Sequence, residues 1–507
     1  MVRPWGEAVF GRWVILAAAL SVVALRYLLA SYLAAFFSPI VQQWGIDAAM
    51  TGLIFASYPF GMALTSVFGP MIVRKLGTRN AVLAGLAFTA VTTILFGFIP
   101  TLIAEPSKYP LAFLLTYYLN GQLGSIAETA AIILVAANFQ DMLGSIMASI
   151  NTISGVGCMA GPLLGGVLYD LPSDPTWAFR LPFIVCSLLS LILIFPMAVI
   201  LPNAHIAGDE KFSPEAIPAI ASRSNLLGFA AIMLSGLAVA TLDPTLSYRL
   251  SSHPFLMSPS LVSVFFMYSS IVYVIINIPL GCLVDLVPRL FGRQASRIYK
   301  LVTALGFVTL CATFLLLAPA QWPLLINPSF TIESLNNVSV MIVAMGLKGI
   351  GSALSNVAIY PDLVSDVPRD DELALAAITG LWNAAYALGW ALGPLIGGYL
   401  YDALKTVELC VGRDATSEQC VAIQHENALS VNYSLLADSE GAVNGTFIHV
   451  VGSNSLCACA WRANNGFDGM AQVIGMTCLG FATLLAEAIV SNVGGSNGLR
   501  PWSRLSV

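Results

Sequence analysis

The sequence predicts an all-α membrane protein of twelve transmembrane helices in two pseudo-symmetric six-helix halves. Three observations carry this. The chain has 507 residues, 57% of them hydrophobic and only 10% charged, against roughly a quarter charged in soluble globular chains. The apolar residues fall in blocks of about twenty, the length of a helix that crosses the roughly 30 Å hydrocarbon core of a bilayer. A ten-residue block occurs twice, GPLLGGVLYD from Gly161 and GPLIGGYLYD from Gly393.

The first apolar block runs from Trp13 to Phe37. It is too long for a signal-peptide core and has no small-residue cleavage pattern, so it reads as the first span. Apolar runs and breakers then place spans at 49–73, 79–100, 110–137, 143–168 and 180–201, which completes an N-terminal half at 1–201. The polar stretch 202–225 holds Asp209, Glu210, Lys211, Glu215 and the prolines 202, 214 and 218, and reads as a cytoplasmic linker. The C-terminal half, 226–507, has spans at 226–250, 260–285, 298–318, 338–361, 373–400 and 470–491. The repeated block therefore closes span 5 and its counterpart, span 11. A weaker echo pairs the loop Gly69…Arg79 after span 2 with Gly281…Arg293 after span 8. Two repeated six-helix halves are the pattern of a transporter that rocks one half against the other.

Basic residues set the orientation. Arg74, Lys75, Arg79, Arg289, Arg293, Arg297 and Lys300 collect on one side with both termini, which makes that side and the termini cytoplasmic. The loop at about 401–469 is then extracytoplasmic. It carries Cys410, Cys420, Cys457 and Cys459, which suggest one or two disulfides, and the glycosylation sequons at Asn432 and Asn444. A third sequon, at Asn337, lies too near the membrane for use. The net charge of −5 says little about partners, and no feature suggests nucleic-acid binding. There is no Walker lysine loop, no HExxH, no GxSxG and no His/Cys cluster. The expectation is a monomer in the lipid bilayer with no metal, no cofactor and no enzymatic activity.

The loop Gly69…Arg74…Gly77…Arg79 resembles the signature of the major facilitator superfamily between helices 2 and 3, with Val73 where the family has an acid; Asp285 keeps that acid in the second copy. Gly155, Gly157, Gly161, Pro162, Gly165 and Gly166 in span 5 resemble the motif of its proton-coupled antiporters, and Gly393-Pro394 begins the second copy. Small residues let helices approach closely and a mid-helix proline bends one, so packing is the main work expected of both copies. Within the superfamily the sequence is similar to the vesicular amine and polyamine transporter branch, through Thr241-Leu-Asp-Pro-Thr-Leu-Ser247, Gly166-Val-Leu-Tyr-Asp170 and Gly389-Trp-Ala-Leu-Gly-Pro394. That resemblance implies exchange of protons for small organic cations.

A charge at mid-membrane costs about 3 kcal/mol or more and defaults to function with a partner. Four such charges are Arg26, Glu128, Asp243 and Lys348, one each on spans 1, 4, 7 and 10; in the superfamily these are the helices that line the central cavity. Either they pair structurally, Arg26 with Glu128 and Lys348 with Asp243, or at least one acid carries the coupling proton. Asp243 matches the branch's span 7 carboxylate. Gly121, Gly124 and Glu128 share one face of span 4, and Lys348 shares a face with Ser352 and Ser355. Trp382 and Asn383 are the best candidates to complete a pocket, with Tyr58, Asn151, Tyr268, Tyr273 and Tyr386 behind them. Arg26 stands where the amine transporters carry an acid. Three readings stay open: an anionic or zwitterionic substrate recognised by Arg26, an Arg26 that only balances Glu128, or a cation held by Asp243 and Glu128 alone. A membrane sensor of the same fold without net transport is the alternative from another class.

Overall fold

The computed structural model describes residues 9–139, 143–202, 222–252, 255–318, 337–364, 372–404, 411–412, 447–450, 457–461 and 466–494. Among these run twelve long helices: α1 (Val9–Ser31), α2 (Ala48–Leu76), α3 (Thr78–Leu102), α4 (Tyr109–Asn138), α5 (Leu143–Asp170), α6 (Pro175–Ile200), α7 (Arg223–Ser251), α8 (Pro259–Phe291), α9 (Ala295–Leu317), α10 (Val338–Val357), α11 (Glu372–Ala403) and α12 (Gly466–Gly494). Ten of them hold a stretch long and apolar enough to cross a membrane. The other two are α4, which is interrupted by Asn120, Gln122 and Glu128, and α11.

Local chemistry starts and stops the helices. Asp47 caps α2 by accepting from the Met50 N–H (2.8 Å), Ser222 caps α7 through Asn225, and Asn337 caps α10 through Val340. Gly77 is the whole joint between α2 and α3, at φ +82, a conformation glycine takes without strain.

Three boundaries differ from the sequence reading. α1 ends at Ser31, and the chain continues as a 3₁₀ turn (Tyr32–Ala35) and a short helix (Phe37–Gln43). In a continuous helix the Pro39 ring would strike the Ala35 carbonyl, and the tightened turn avoids it. α10 stops at Val357 and a short helix Ile359–Val364 follows; Pro361 stands in the same relation to the Val357 carbonyl. α7 begins at Arg223, inside the expected linker, because Ser222 caps it. The stretch expected as a loop between α11 and α12 contains three short antiparallel strands, β1 (Val411–Gly412), β2 (Phe447–Val450) and β3 (Cys457–Trp461), in the order β1-β3-β2. Cys457 and Cys459 fall on β3. Cys410, Cys420, Asn432, Asn444 and linker residues 203–221 lie outside the described residues, as do the side chains of Asp285 and Arg293.

The helices pack in a pattern that repeats six helices on. In the first set α1 packs on α5, α2 and α3 on α4, and α3 on α6. In the second, α7 packs on α11, α8 and α9 on α10, and α9 on α12. Two seams join the sets, α5 on α8 and α11 on α2.

The repeated block builds these contacts. Gly161 and Gly165 press on the end of α1 at Leu28 and Ser31 and on Tyr32 of the 3₁₀ turn, while Gly393 and Gly397 press on α7 at Leu237 and Thr241. The sixth residue of each block turns to the other set: Gly166 meets Pro259 and Ser263 of α8, and Gly398 meets Ala48 and Gly52 of α2. A Cβ at any of these six glycines would overlap backbone or buried side chain. Pro162 removes the N–H that would bond the Cys158 carbonyl, and the Ser31 hydroxyl donates to that carbonyl instead (3.3 Å). Contact loosens along α5 away from Asp170, where an added Cβ at Gly155 would lie 3.8 Å from the nearest atom of α8. Gly69 lies against Thr129 of α4, Arg74 is exposed and Arg79 is half-buried.

Candidate functional site

Arg26, on α1, is 1% exposed. Its Nη1 donates to Thr89 Oγ1 and Asn120 Oδ1 (both 3.3 Å), and its Nη2 donates to the Asn120 and Gly121 carbonyls (both 3.4 Å). The guanidinium lies 5.1 Å from the Tyr58 ring centroid, and the Tyr58 hydroxyl donates to the Arg26 carbonyl (3.0 Å). Gly124 leaves the space for it, since a Cβ there would overlap Nη1. Asn120 is fixed in turn by donating to Thr93 Oγ1 (2.8 Å). Every acceptor in this cage is neutral, and among the described residues Arg26 and Glu128 form no contact pair, which was one of the two alternatives left open by the sequence. Both terminal nitrogens are spent on α3 and α4, while Nε is buried with no hydrogen-bond partner among the described residues.

Glu128 is 8% exposed, and among the described residues its buried Oε2 has no hydrogen-bond partner. Tyr27 lies beside it. The Tyr27 ring stacks on Trp390 of α11, with centroids 6.0 Å apart and planes within 4°. The Trp390 indole N–H points on to Asp243 Oδ2 of α7 (3.4 Å). One aromatic stack across the two helix sets thus has a carboxylate at each side. Cys158 of α5 lies among Glu128, Asp243 and Lys348, with its Sγ 4.0 Å from the Tyr27 carbonyl oxygen.

Lys348, on α10, is 7% exposed. Its ammonium sits 5.6 Å from the centroid of the Phe266 ring on α8. Among the described residues it has no hydrogen-bonding acceptor and no contact ion pair, and Asp243 acts on it only across a gap. Neither pair of the structural-pairing alternative is therefore in contact among the described residues.

The two sets are built on matching steps. Gly121 presses on the Tyr58 carbonyl of α2, and Gly349 presses on the Ser269 carbonyl of α8. Gly85 of α3 meets Ala127, and Gly306 of α9 meets Ser355. This register superposes Asn120 on Lys348: where the first set has the amide that holds Arg26, the second has a free ammonium.

The remaining candidates divide. Trp382 packs edge-on against Tyr360 (5.7 Å), with its indole nitrogen buried and lacking a partner. Asn383 is exposed. Among the described residues no hydrogen bond joins either to the four charges, and the α11 side chain that reaches one of them is Trp390, two turns further on. Tyr58 is part of the Arg26 cage, and the Asn151 side chain lies outside the described residues. Sequence reasoning missed Tyr27 and Trp390 because single aromatics in apolar helices look like packing; their signal was position, one adjoining Arg26 and the other inside the Gly389–Pro394 motif. It also did not single out Lys300 or Arg249, which stand near the ends of spans 9 and 7. Lys300 is 4% exposed and paired with Asp362 at 2.8 Å, and Arg249 is 3% exposed beside Asp468 at 3.8 Å.

A family model described as Major Facilitator Superfamily matches residues 19–228 and 228–406. The chain is 27% identical over 379 residues to the MFS-type transporter SLC18B1 of Mus musculus, covering 74% of this chain and 77% of that protein. It is 23% identical over 378 residues to the vesicular acetylcholine transporter of Torpedo marmorata, covering 71% of this chain and 64% of that one. Among solved structures it is similar to a bacterial homolog of the human lysosomal transporter Spinster in an inward-facing, unoccupied conformation, with a TM-score of 0.65 at 12% identity over 95% of this chain and 97% of the other. The chain belongs to the major facilitator superfamily, and its similar proteins are transporters rather than enzymes.

Proposed function

We propose that this transporter exchanges protons for a small organic cation, with Asp243 and Glu128 as the groups that trade one for the other. The single observation that carries the reading is the contrast at the site: among the described residues both carboxylates lack a contact counter-ion, while both terminal nitrogens of Arg26 are committed to neutral acceptors. A carboxylate released from ion pairing and flanked by an aromatic face suits an ammonium group, through charge and cation–π attraction together. Arg26 then acts as a fixed positive field near Glu128 rather than as a recognition fork. The similarity to a vesicular acetylcholine transporter supports an organic cation as cargo. The basic residues at the Arg74–Arg79 end support cytoplasmic termini, with the Asp170 and Asp402 end extracytoplasmic.

Lys348 favours one second reading. A buried ammonium with no acceptor is costly, and the anionic group of a zwitterion would relieve it while the cationic group met Asp243.

Uptake into proteoliposomes with an imposed pH gradient tests both. The mixture holds monoamines, linear polyamines, neutral amino acids and organic anions. Gradient-driven uptake of amines, lost in Asp243→Asn, supports the first reading. Uptake confined to zwitterions and lost in Lys348→Met supports the second. Binding without flux of any solute points to a sensor of the same fold.

A further inference from the structure

The repeated block ends in an aspartate in both copies, and packing of the glycines does not explain it. Asp170 closes α5 and Asp402 closes α11. Each reaches across a seam to the first turn of a helix in the opposite set. Asp170 Oδ2 accepts from the Ser260 N–H of α8 (2.9 Å) and from the Ser260 hydroxyl. Asp402 Oδ2 accepts from the Ala49 N–H of α2 (2.6 Å).

The two contacts are equivalent in register. α2 begins at Ala48 and α8 at Pro259, so Ala49 and Ser260 are both the second residue of their helices. In each helix the chain's own cap residue takes the next N–H: Asp47 accepts from Met50 (2.8 Å) and Ser258 from Leu261 (3.5 Å). The first-turn amides at both seams are thus shared between a local cap and a carboxylate from the other six-helix set. A helix start carries unsatisfied N–H groups and partial positive charge, so an anion there is stabilising.

We propose that Asp170 and Asp402 are paired positioning residues that hold the two helix sets together at this end, and that both bonds break whenever the end opens in the transport cycle. The glycines set how close the helices come, and the aspartates set how strongly the closed arrangement is favoured. This rests on the seam geometry alone and is independent of which solute is carried.

The test uses the full chain in lipid nanodiscs without solute. Spin labels at Leu111 and Val338, which are exposed at this end of α4 and α10, report the separation of the sets. Asp170→Ala and Asp402→Ala should each shift the ratio of closed to open about five-fold, the typical worth of one lost cap, and the pair together roughly 25-fold. Asp→Asn at either site should keep most of the closed population, because an amide oxygen caps as well. Ser260→Pro and Ala49→Pro remove the donors while leaving the carboxylates, and a proline is tolerated in a first helical turn. They should reproduce the alanine shifts even if an alanine variant fails to fold. In transport assays the shift appears as a changed KM from one side of the membrane with little change in maximal rate. An unaltered distance distribution in the proline variants, or asparagine variants that open as far as alanine, would overturn the proposal.

Discussion

Arg26 and Lys348 are both buried cations on helices that meet the centre of the bundle, yet their surroundings are opposite. Arg26 has four hydrogen bonds to neutral acceptors on α3 and α4. Lys348 has an aromatic face and an acid across a gap. Burial alone therefore does not mark a functional charge. What separates the two is how their donors are used: both terminal nitrogens of the Arg26 guanidinium are bonded to the scaffold, while among the described residues the Lys348 ammonium has no acceptor and is available to a visitor.

The largest effect that would break this comparison is on folding. Arg26→Met leaves the Asn120 and Gly121 carbonyls without their charged donor and should cost about 3 kcal/mol or more, from bonds worth about 1.5–3 kcal/mol each. The measure is thermal stability by fluorescence-detected size exclusion. Lys348→Met, by contrast, should leave stability unchanged or raise it by about 1 kcal/mol, since no bond is lost and a costly burial is relieved. Equal destabilisation by the two would end the distinction.

On transport, Asp243→Asn should reduce pH-gradient-driven uptake by about ten-fold or more with normal expression, the scale of one lost charge contact at roughly 1.5–3 kcal/mol. Trp390→Phe keeps an aromatic stack with Tyr27 but removes the N–H aimed at Asp243, and should weaken apparent solute affinity by about five-fold. The smallest effect belongs to Asp174, an exposed local cap at the start of α6. The Thr176 hydroxyl and N–H hold its carboxyl below the usual carboxylate range. Its contribution is present at neutral pH and fades only as pH falls through that lowered range. Asp174→Ala should therefore shift melting slightly at pH 7 and not at all in strong acid. It gives the baseline for a cap that joins no two helix sets.

Much of the fold was legible because two signals are blunt. Apolar runs together with breakers placed every long helix, most ends within a few residues, and the duplicated block fixed which helices correspond. The breaks before Pro39 and Pro361 were readable in principle, from the clash each ring makes with the carbonyl four residues back. The site was legible as a set of charges and illegible as a set of contacts. Sequence could place Arg26 and Glu128 on neighbouring helices but not show that Asn120 and two carbonyls reach the guanidinium first. It named Trp382 and did not weigh Trp390: two turns of helix separate a residue packed on Tyr360 from one pointing at Asp243, and composition is blind to that rotation.

The Tyr27–Trp390 stack has a kinetic consequence. Its rings belong to α1 and α11, one from each helix set, so any motion that separates the sets at this level must part them. A ring pair contributes about 0.5–1.5 kcal/mol beyond its buried area, which corresponds to a factor of roughly two to ten in rate. The stack is thus a brake on turnover rather than a lock.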